Sequence, residues 1–241
     1  MGNGDERTRP KLRGDLVVAA VFAADGVAPS TVDERNRAWD RLLRAEDWLA
    51  EQAARFDAPL SFDNQVLGLD DALTLDLLPR HQPDPRFARR VAGALGYDSI
   101  SDLHATVLDG RPRSPGALLV VLGSGEGHGR RLALEPTALA PRFLEAMITF
   151  DRQGAQPTDG RALAASLLRA FGAVDLVGGD DPERDASNRA RFAGDVMLGE
   201  GSLGRAVASP LTAHLVGWTV EVDPSFEAAL PRGAWEAHRR A

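Results

Sequence analysis

The apolar pattern of the N-terminal third predicts a β-α-β unit. Residues 16–24 form a short, partly β-branched apolar run bounded by turn-forming residues, which is typical of a buried strand. Thr31 followed by Glu34 is a capping-box pattern, and the apolar residues after it recur near helical spacing as far as Phe56. The segment 59–69 again has the pattern of a strand, so a long amphipathic helix should connect two strands.

The middle of the chain predicts a central strand flanked by shorter elements. Residues 117–123 (ALLVVLG) are a continuous apolar run, which favours a strand inside a sheet. Residues 130–134 follow a glycine-rich stretch and fit a return strand, whereas residues 143–150 fit either a strand or a helix. Before the central strand, helices are predicted over 84–95 and over 101–108, the second capped by its first residue.

Two further helices are predicted in the C-terminal half. The first opens at Thr158 and runs to Phe171, with Gly172 placed to terminate it. The second opens with Ser209-Pro210, the favoured order of cap and proline, and runs to about Val216. In the first of these helices, three residues spaced four apart should pack inward: Leu163, Leu167 and Phe171.

These elements predict an α/β fold with a twisted mixed sheet in a single domain. We assign residues 14–225 to the domain, 1–13 to a flexible charged lead and 226–241 to a C-terminal tail. The chain has 241 residues, 44% of them hydrophobic, which is enough for a substantial core. No internal repeat or low-complexity linker divides it.

Composition argues against several classes of function. The 28 basic and 35 acidic residues give a formal net charge of −7, the wrong sign for general attraction to nucleic acid. No apolar run approaches the ~20 residues of a membrane span, and the start of the chain is polar, so we expect a cytoplasmic protein without a membrane partner. The absence of cysteine excludes disulfides, thiolate zinc sites and a cysteine nucleophile.

The residue types that usually carry chemistry form no standard motif. The glycine-rich stretch 123–129 has neither dinucleotide-binding nor P-loop spacing, which favours a flexible hairpin. No two of the five histidines are three or four residues apart, so a helical pair of metal ligands is absent. The acidic stretch 175–185 lacks the spacing of a calcium loop, which favours a solvated loop. No serine lies in a G-x-S-x-G elbow.

The stretch LAASLLRAFGAVDL (163–176) resembles the active-site helix of a bacterial family of small metzincin-like zinc peptidases, whose motif is H-E-x-x-H-x-x-G-x-x-D. Gly172 falls on the turn glycine of that motif, and Asp175 falls on its third metal-ligand position. Further on, DVMLG resembles the Met-turn beneath the zinc site, with Met197 as its methionine. The stretch 209–218 resembles the helix that follows the Met-turn in the same family.

Three positions depart from that motif, and each departure removes catalytic chemistry. Ala165 and Arg169 stand where the two helical histidine ligands are expected, and Ser166 stands where the glutamate that activates water is expected. Catalytic zinc needs three protein ligands, whereas alanine offers no lone pair and arginine carries a fixed positive charge. Without the ion and the glutamate, water has neither a lowered pKa nor a positioned base. The resemblance therefore implies a metzincin-like fold without metal, cofactor or peptidase activity.

For function, the resemblance implies a pseudopeptidase with a binding or scaffolding role. A cleft beside an edge strand can bind an extended peptide by strand addition after the catalytic centre is lost, so a protein or peptide partner is expected. The alternative is an active hydrolase or metallopeptidase with a rebuilt site. In that alternative, His128 or His214 would converge with Asp175 and the acidic stretch.

The loss of zinc leads to two structural expectations. Asp175 would be left without a partner, so we expect an ion pair between Arg169 and Asp175. Removing one partner would cost about 3–5 kcal/mol if the pair is buried. The resemblance also implies that Met197 lies in a tight turn close to Ala165 and Arg169.

Overall fold

The computed structural model describes residues 10–68, 72–134, 142–153, 156–178, 180–220, 223–231 and 233–239. The strands are β1 (Gly14–Ala24), β2 (Leu60–Val66), β3 (Leu73–Thr74), β4 (Gly116–Glu126), β5 (Arg130–Arg131), β6 (Phe143–Gln153) and β7 (Gln156–Pro157). The helices are α1 (Val32–Ala54), α2 (Phe87–Ala94), α3 (Ile100–Val107), α4 (Gly160–Ala170), α5 (Pro182–Arg191), α6 (Pro210–Leu215), α7 (Phe226–Ala229) and α8 (Ala234–Arg239). Two short 3-10 turns, Val196–Leu198 and Leu203–Arg205, lie between α5 and α6.

Parts of the predicted segments lie outside these ranges. They are residues 1–9 of the lead, residue 69 at the end of the second predicted strand, residue 179 of the acidic stretch, and residues 232, 240 and 241 of the tail. None of the helices within the described ranges is long and apolar enough to cross a membrane.

The sheet combines parallel strands with an antiparallel edge. Its order is β2-β1-β4-β6-β5, in which the first four strands are parallel and β5 is antiparallel to β6. β3 pairs with β1, and β7 pairs with β6. The predicted β-α-β unit is confirmed, because α1 connects the parallel strands β1 and β2. The predicted central strand is also confirmed as β4, and the ambiguous residues 143–150 belong to β6.

A hairpin would require the predicted return strand at 130–134 to pair with β4, but the strand pairs with β6. Only Arg130–Arg131 form β5, and they pair with Ile148 and Met147 of β6 instead of with β4. β4 itself continues through much of the glycine-rich stretch as far as Glu126. The prediction of a flexible hairpin was therefore wrong, since the two strands that would form it are separated in the sheet by β6.

Helix capping confirms the predicted starts of α1 and of α6, which is capped by Ser209 with Pro210 in its first turn, and corrects two others. α1 has the complete capping box, in which Thr31 accepts from the Glu34 N–H and the Glu34 carboxylate accepts from the Thr31 N–H. α3 is capped by Ser99 instead of residue 101, and α4 is capped by Asp159 instead of Thr158. In both helices the capping side chain is the one that reaches the amide three residues ahead.

Two segments differ more from the sequence prediction. α2 begins at Phe87 and not at residue 84. Asp84 precedes Pro85, and the residue before a proline disfavours helical backbone angles. α5 occupies part of the stretch that we predicted as a solvated acidic loop. Asp181 caps this helix and Pro182 occupies its first turn. Buried Asn188 donates to backbone carbonyls of the segment after α4 and of α7, so α5 is tied to the core.

Apolar cores lie on both faces of the sheet. α2 and α3 cover the smaller core, whereas α1, α4 and α6 cover the larger one. Leu163, Leu167 and Phe171 are fully buried in the larger core, which confirms the inward face predicted for α4. The same core contains Leu12 and Trp235, so the packed structure extends beyond both predicted domain limits.

Truncation of Leu167 tests how firmly this core holds α4. Leu167→Ala should lower the free energy of unfolding by about 2–5 kcal/mol, because the helix would lie over a cavity. The matched control is Leu77→Ala, since Leu77 is 60% exposed and its truncation should change stability by about 0.5 kcal/mol or less. Equal losses for the two variants in chemical denaturation would contradict the described packing.

Candidate functional site

α4 ends in a sharp turn that positions Asp175. Gly172 has a φ of +105°, a backbone conformation that favours glycine, and its N–H donates to the carbonyl of Arg169 at 3.1 Å. The Ala173 N–H donates to the carbonyl of Leu168 at 3.0 Å. The chain therefore folds back at Gly172, as predicted, and Asp175 lies beside the last turn of α4.

The predicted ion pair between Arg169 and Asp175 is present. Arg169 Nη2 lies 2.5 Å from Asp175 Oδ1, and Arg169 Nε donates to Oδ1 at 3.1 Å and to Oδ2 at 3.3 Å. Both carboxylate oxygens are thus bound by one guanidinium. The side chains are 39% and 52% exposed, so the pair is on the surface and not buried. Solvent screening should leave it a small contribution to stability.

The other two motif positions are closed to solvent. Ala165 and Ser166 are buried, and α4 packs against β5. The Ser166 hydroxyl donates to the Ala162 carbonyl one turn earlier at 2.8 Å, a bond within the helix that leaves its proton engaged. A Cβ atom added to Gly129, next to β5, would lie only 3.1 Å from Ser166 Oγ. The backbone before β5 therefore covers this position closely.

The Met197 turn, which we define as Val196–Leu198 with Gly199, packs against α4. Gly199 has a φ of +74° and closes the turn. The carbonyl of Met197 accepts from the Leu176 N–H at 3.3 Å, just after Asp175. The turn contacts α4, and Met197 and Ala165 are both buried in the larger core, so the methionine lies in a tight turn beside the expected helix.

The carboxylate of Asp195 holds this turn from within the protein. Asp195 is fully buried and accepts from the N–H of Met197 at 2.6 Å, the N–H of Ser209 at 2.7 Å and the hydroxyl of Thr212 at 2.9 Å. The turn is thereby joined to the start of α6. Sequence analysis missed this role, although an aspartate directly before a turn is a residue that often binds nearby backbone amides.

Arg161 joins the Met197 turn to α4. Its Nη2 donates to the carbonyl of Asp195 at 3.1 Å and to that of Val196 at 2.8 Å. Burial lowers the pKa of this guanidinium below its usual range, while the charge of Asp159 opposes that shift. Sequence analysis missed this residue as well, because its burial follows from the packing of α4 on the turn.

The glycine-rich stretch is tightly packed and not open for a phosphate. A Cβ on Gly123 or Gly127 would meet the ring of Phe150 at under 3.0 Å, and one on Gly125 would meet Ala28. The glycines here allow close packing at the end of β4. The guanidinium of Arg80 fixes the same region. It donates to the carbonyls of Ser124 and Glu126 and to the buried carboxylate of Asp25.

His128 and His214, which the alternative of a hydrolase with a rebuilt site would use, lie in two different surroundings. The ring of His128 contacts that of His81, with centroids 5.8 Å apart, at the end of the glycine-rich stretch. His214 of α6 packs against Trp235 at 5.8 Å and against His238 at 5.1 Å. The contacts found for Asp175 are with Arg169, and neither histidine takes part in them.

The acidic stretch has structural contacts of its own. Asp181 caps α5, and Asp185 accepts from the Gly178 N–H at 2.8 Å and from Arg184 at 3.0 Å. The Gly178 bond is the main cause of a lowered pKa at Asp185. Across the described residues, no group of three or more histidine, aspartate or glutamate side chains is arranged to hold a metal ion.

A wide groove of about 760 Å³ lies apart from the candidate site. It runs between the end of α1, the end of α5 and the segments before α6 and α7, with Arg55, Arg191 and Phe226 among its walls. None of its lining residues belongs to α4 or β5. It is therefore a separate surface feature and not the cleft implied by the family resemblance.

The chain matches no known family model and no curated protein sequence. The metzincin resemblance therefore depends on residues and their arrangement: α4, the Gly172 turn with Asp175, the Met197 turn and α6, in that order along the chain.

A double-mutant cycle on Arg169 and Asp175 measures their coupling directly. With Arg169→Met and Asp175→Asn, we expect a coupling energy of about 0.2–1 kcal/mol, because both side chains are substantially exposed. The larger cost of removing one partner applies only to a buried pair. A parallel cycle on Arg189 and Glu200, which are 49% and 60% exposed, serves as the reference for a surface pair. A coupling of several kcal/mol for Arg169 and Asp175 alone would contradict the surface assignment.

Proposed function

We propose that this chain is a catalytically inactive, metallopeptidase-like protein that binds an extended peptide or protein segment beside α4. The observation that carries the proposal is the guanidinium of Arg169 bound to both oxygens of Asp175. A positive charge thus occupies the position where the family resemblance would place a metal ion.

The donor set around α4 does not suit zinc. Asp175 is the single metal-binding side chain retained at the three ligand positions, and its oxygens already accept from Arg169. Ala165 has no donor atom, and a guanidinium stays protonated under all ordinary conditions. An ion entering here would lack ligands and would also have to displace a like charge.

Ser166, at the position where the family motif has its catalytic glutamate, is equally unsuited to peptide hydrolysis. A serine hydroxyl has no carboxylate to take a proton from water, and that of Ser166 donates to its own helix. Gly129 lies against it, so little room remains for water and a substrate carbonyl together. The surroundings of Ser166 therefore disfavour peptide hydrolysis.

The edge strand β5 supplies a surface that suits an extended peptide. Leu132 N–H donates to the Ala146 carbonyl at 2.8 Å, and hydrogen-bonded pairs alternate along an antiparallel ladder. The N–H and carbonyl of Arg131 consequently point away from β6. In the described part of the sheet, β5 has a strand neighbour on one side only, which is the arrangement that strand addition requires.

The edge strand is also held firmly enough to serve as a template. Arg131 Nε lies 2.7 Å from Glu145 Oε2, and Nη2 lies 2.6 Å from Oε1, so a bidentate ion pair joins β5 to β6. The Glu145 side chain is buried, whereas Arg131 is half exposed. A strand fixed in this way would lose little conformational entropy when a peptide pairs with it.

Metal content and proteolysis test the loss of catalysis. Protein purified without chelator should contain no stoichiometric zinc and should not cleave unfolded protein substrates in a chelator-sensitive way. Restoring two ligands with Ala165→His and Arg169→His, beside native Asp175, should create zinc binding that elemental analysis and calorimetry detect.

The matched control adds Asp175→Asn to the two histidine substitutions, which removes the third ligand and should weaken zinc binding by at least about tenfold. Adding Ser166→Glu tests catalysis separately, although the new side chain must displace Gly129. One zinc per wild-type chain would refute the proposal. Equal zinc affinity with and without Asp175 would show that the three positions do not converge.

Strand addition is tested by substitutions at Arg131. Arg131→Pro removes the outward N–H, whereas Arg131→Ala retains it, and both remove the guanidinium. On an array of extended peptides, Arg131→Ala should retain binding to peptides that the wild type selects, and Arg131→Pro should lose most of it. Equal binding by the two variants would argue that any peptide binds elsewhere.

A further inference from the structure

A buried acid faces a half-buried asparagine between α1 and β2. Glu46 is only 3% exposed, and its Oε2 accepts from Nδ2 of Asn64 at 2.6 Å. The other oxygen of each group, Glu46 Oε1 and Asn64 Oδ1, is buried without a hydrogen-bond partner among the described residues. A buried polar atom left unpaired destabilises the fold, so two at one contact need an explanation.

One proton would satisfy both unpaired atoms. An ionised glutamate only accepts hydrogen bonds, and so does an amide oxygen, so these two atoms cannot bind one another. A protonated carboxyl, in contrast, carries one donor and one acceptor on the same plane, as a primary amide does. With the proton on Glu46 Oε1 donated to Asn64 Oδ1, the two groups form a closed pair of hydrogen bonds.

We propose that Glu46 and Asn64 form a proton-dependent clamp between α1 and β2. When Glu46 is protonated, two hydrogen bonds join the helix to the strand. When Glu46 is ionised, one bond remains and a negative charge is buried beside an amide oxygen. β2 ends the described sheet and pairs with β1 alone, so the clamp controls how firmly this strand is held.

Among the described residues, the interactions found for the Glu46 carboxyl are with Asn64 and Asp47, and neither is a cation. Its neighbours Leu42, Ala45 and Leu49 on α1 belong to the larger apolar core, and Phe62 of β2 packs against the same core. Burial raises the pKa of the Glu46 carboxyl to about 7; the bond from Asn64 opposes that rise, and the charge of Asp47 adds to it.

Four charged side chains of α1, β2 and α4 have other partners or an unfavourable sign. Asp47 follows Glu46 on α1, is exposed and repels a second negative charge. Asp63, next to Asn64 on β2, faces the opposite side of the strand and pairs with Arg111. On α4, Arg161 binds the Met197 turn and Arg169 binds Asp175. None of these groups neutralises an ionised Glu46.

The sign of the pH dependence follows from the raised pKa. A glutamate ordinarily titrates near 4.5, the reference for the unfolded chain, and Glu46 in the folded protein titrates near 7. Its contribution to stability is therefore fully present below pH 4.5 and is lost as pH rises to about 7. This direction is opposite to that of a carboxylate with a lowered pKa.

Substitution by glutamine tests the clamp, because a glutamine side chain carries a donor and an acceptor at every pH. The unfolding equilibrium constant would be measured from pH 4 to 8 for wild type, Glu46→Gln and the control Glu51→Gln, an exposed glutamate of the same helix. Relative to its value at pH 4, the ratio of wild type to Glu46→Gln should rise on the order of 100-fold by pH 8. Glu51→Gln should follow the wild type. Parallel profiles for wild type and Glu46→Gln would overturn the clamp.

A measurement on the wild-type protein keeps the test independent of variant folding. The carboxyl carbon resonance of Glu46 should titrate with a midpoint near 7, and the side-chain amide protons of Asn64 should shift with the same midpoint. A Glu46 midpoint near 4.5, or Asn64 resonances that do not follow Glu46, would show that no shared proton joins them.

Discussion

One buried carboxylate, that of Asp195, joins the segments on which the C-terminal half of the fold depends. It binds the Met197 turn and the start of α6 through three hydrogen bonds. Arg161 connects the same turn to α4, and Asn188 connects α5 to the segments on either side of it. Because each of these polar side chains is buried and binds several groups, removing any one would leave other buried groups unpaired.

This network explains how α4 and the Met197 turn are held together. The predicted pair of Arg169 and Asp175 is exposed, so it should contribute little to folding. The buried contacts of Arg161 and Asp195 hold the turn against the helix. The surface pair has a different consequence, since it places a fixed positive charge beside the carboxylate of Asp175.

The elements that sequence analysis predicted best are those whose signals are local. The capping box of α1 and the apolar run of β4 depend on adjacent residues, and both are found as predicted. The partner of β5 depends on strand order, which no local pattern specifies. The burial of Asp195 likewise arises from distant segments. Glu46 could have been noticed, because it lies four residues after Leu42 and three before Leu49 on the buried face of α1.

Crystals of the wild-type protein grown with zinc test most directly our proposal that α4 forms no metal site. Anomalous scattering at the zinc edge locates any bound ion without assumptions about activity. We predict no peak among residues 165, 169 and 175, with Arg169 still bound to Asp175. A peak coordinated by Asp175, with Arg169 displaced, would contradict it.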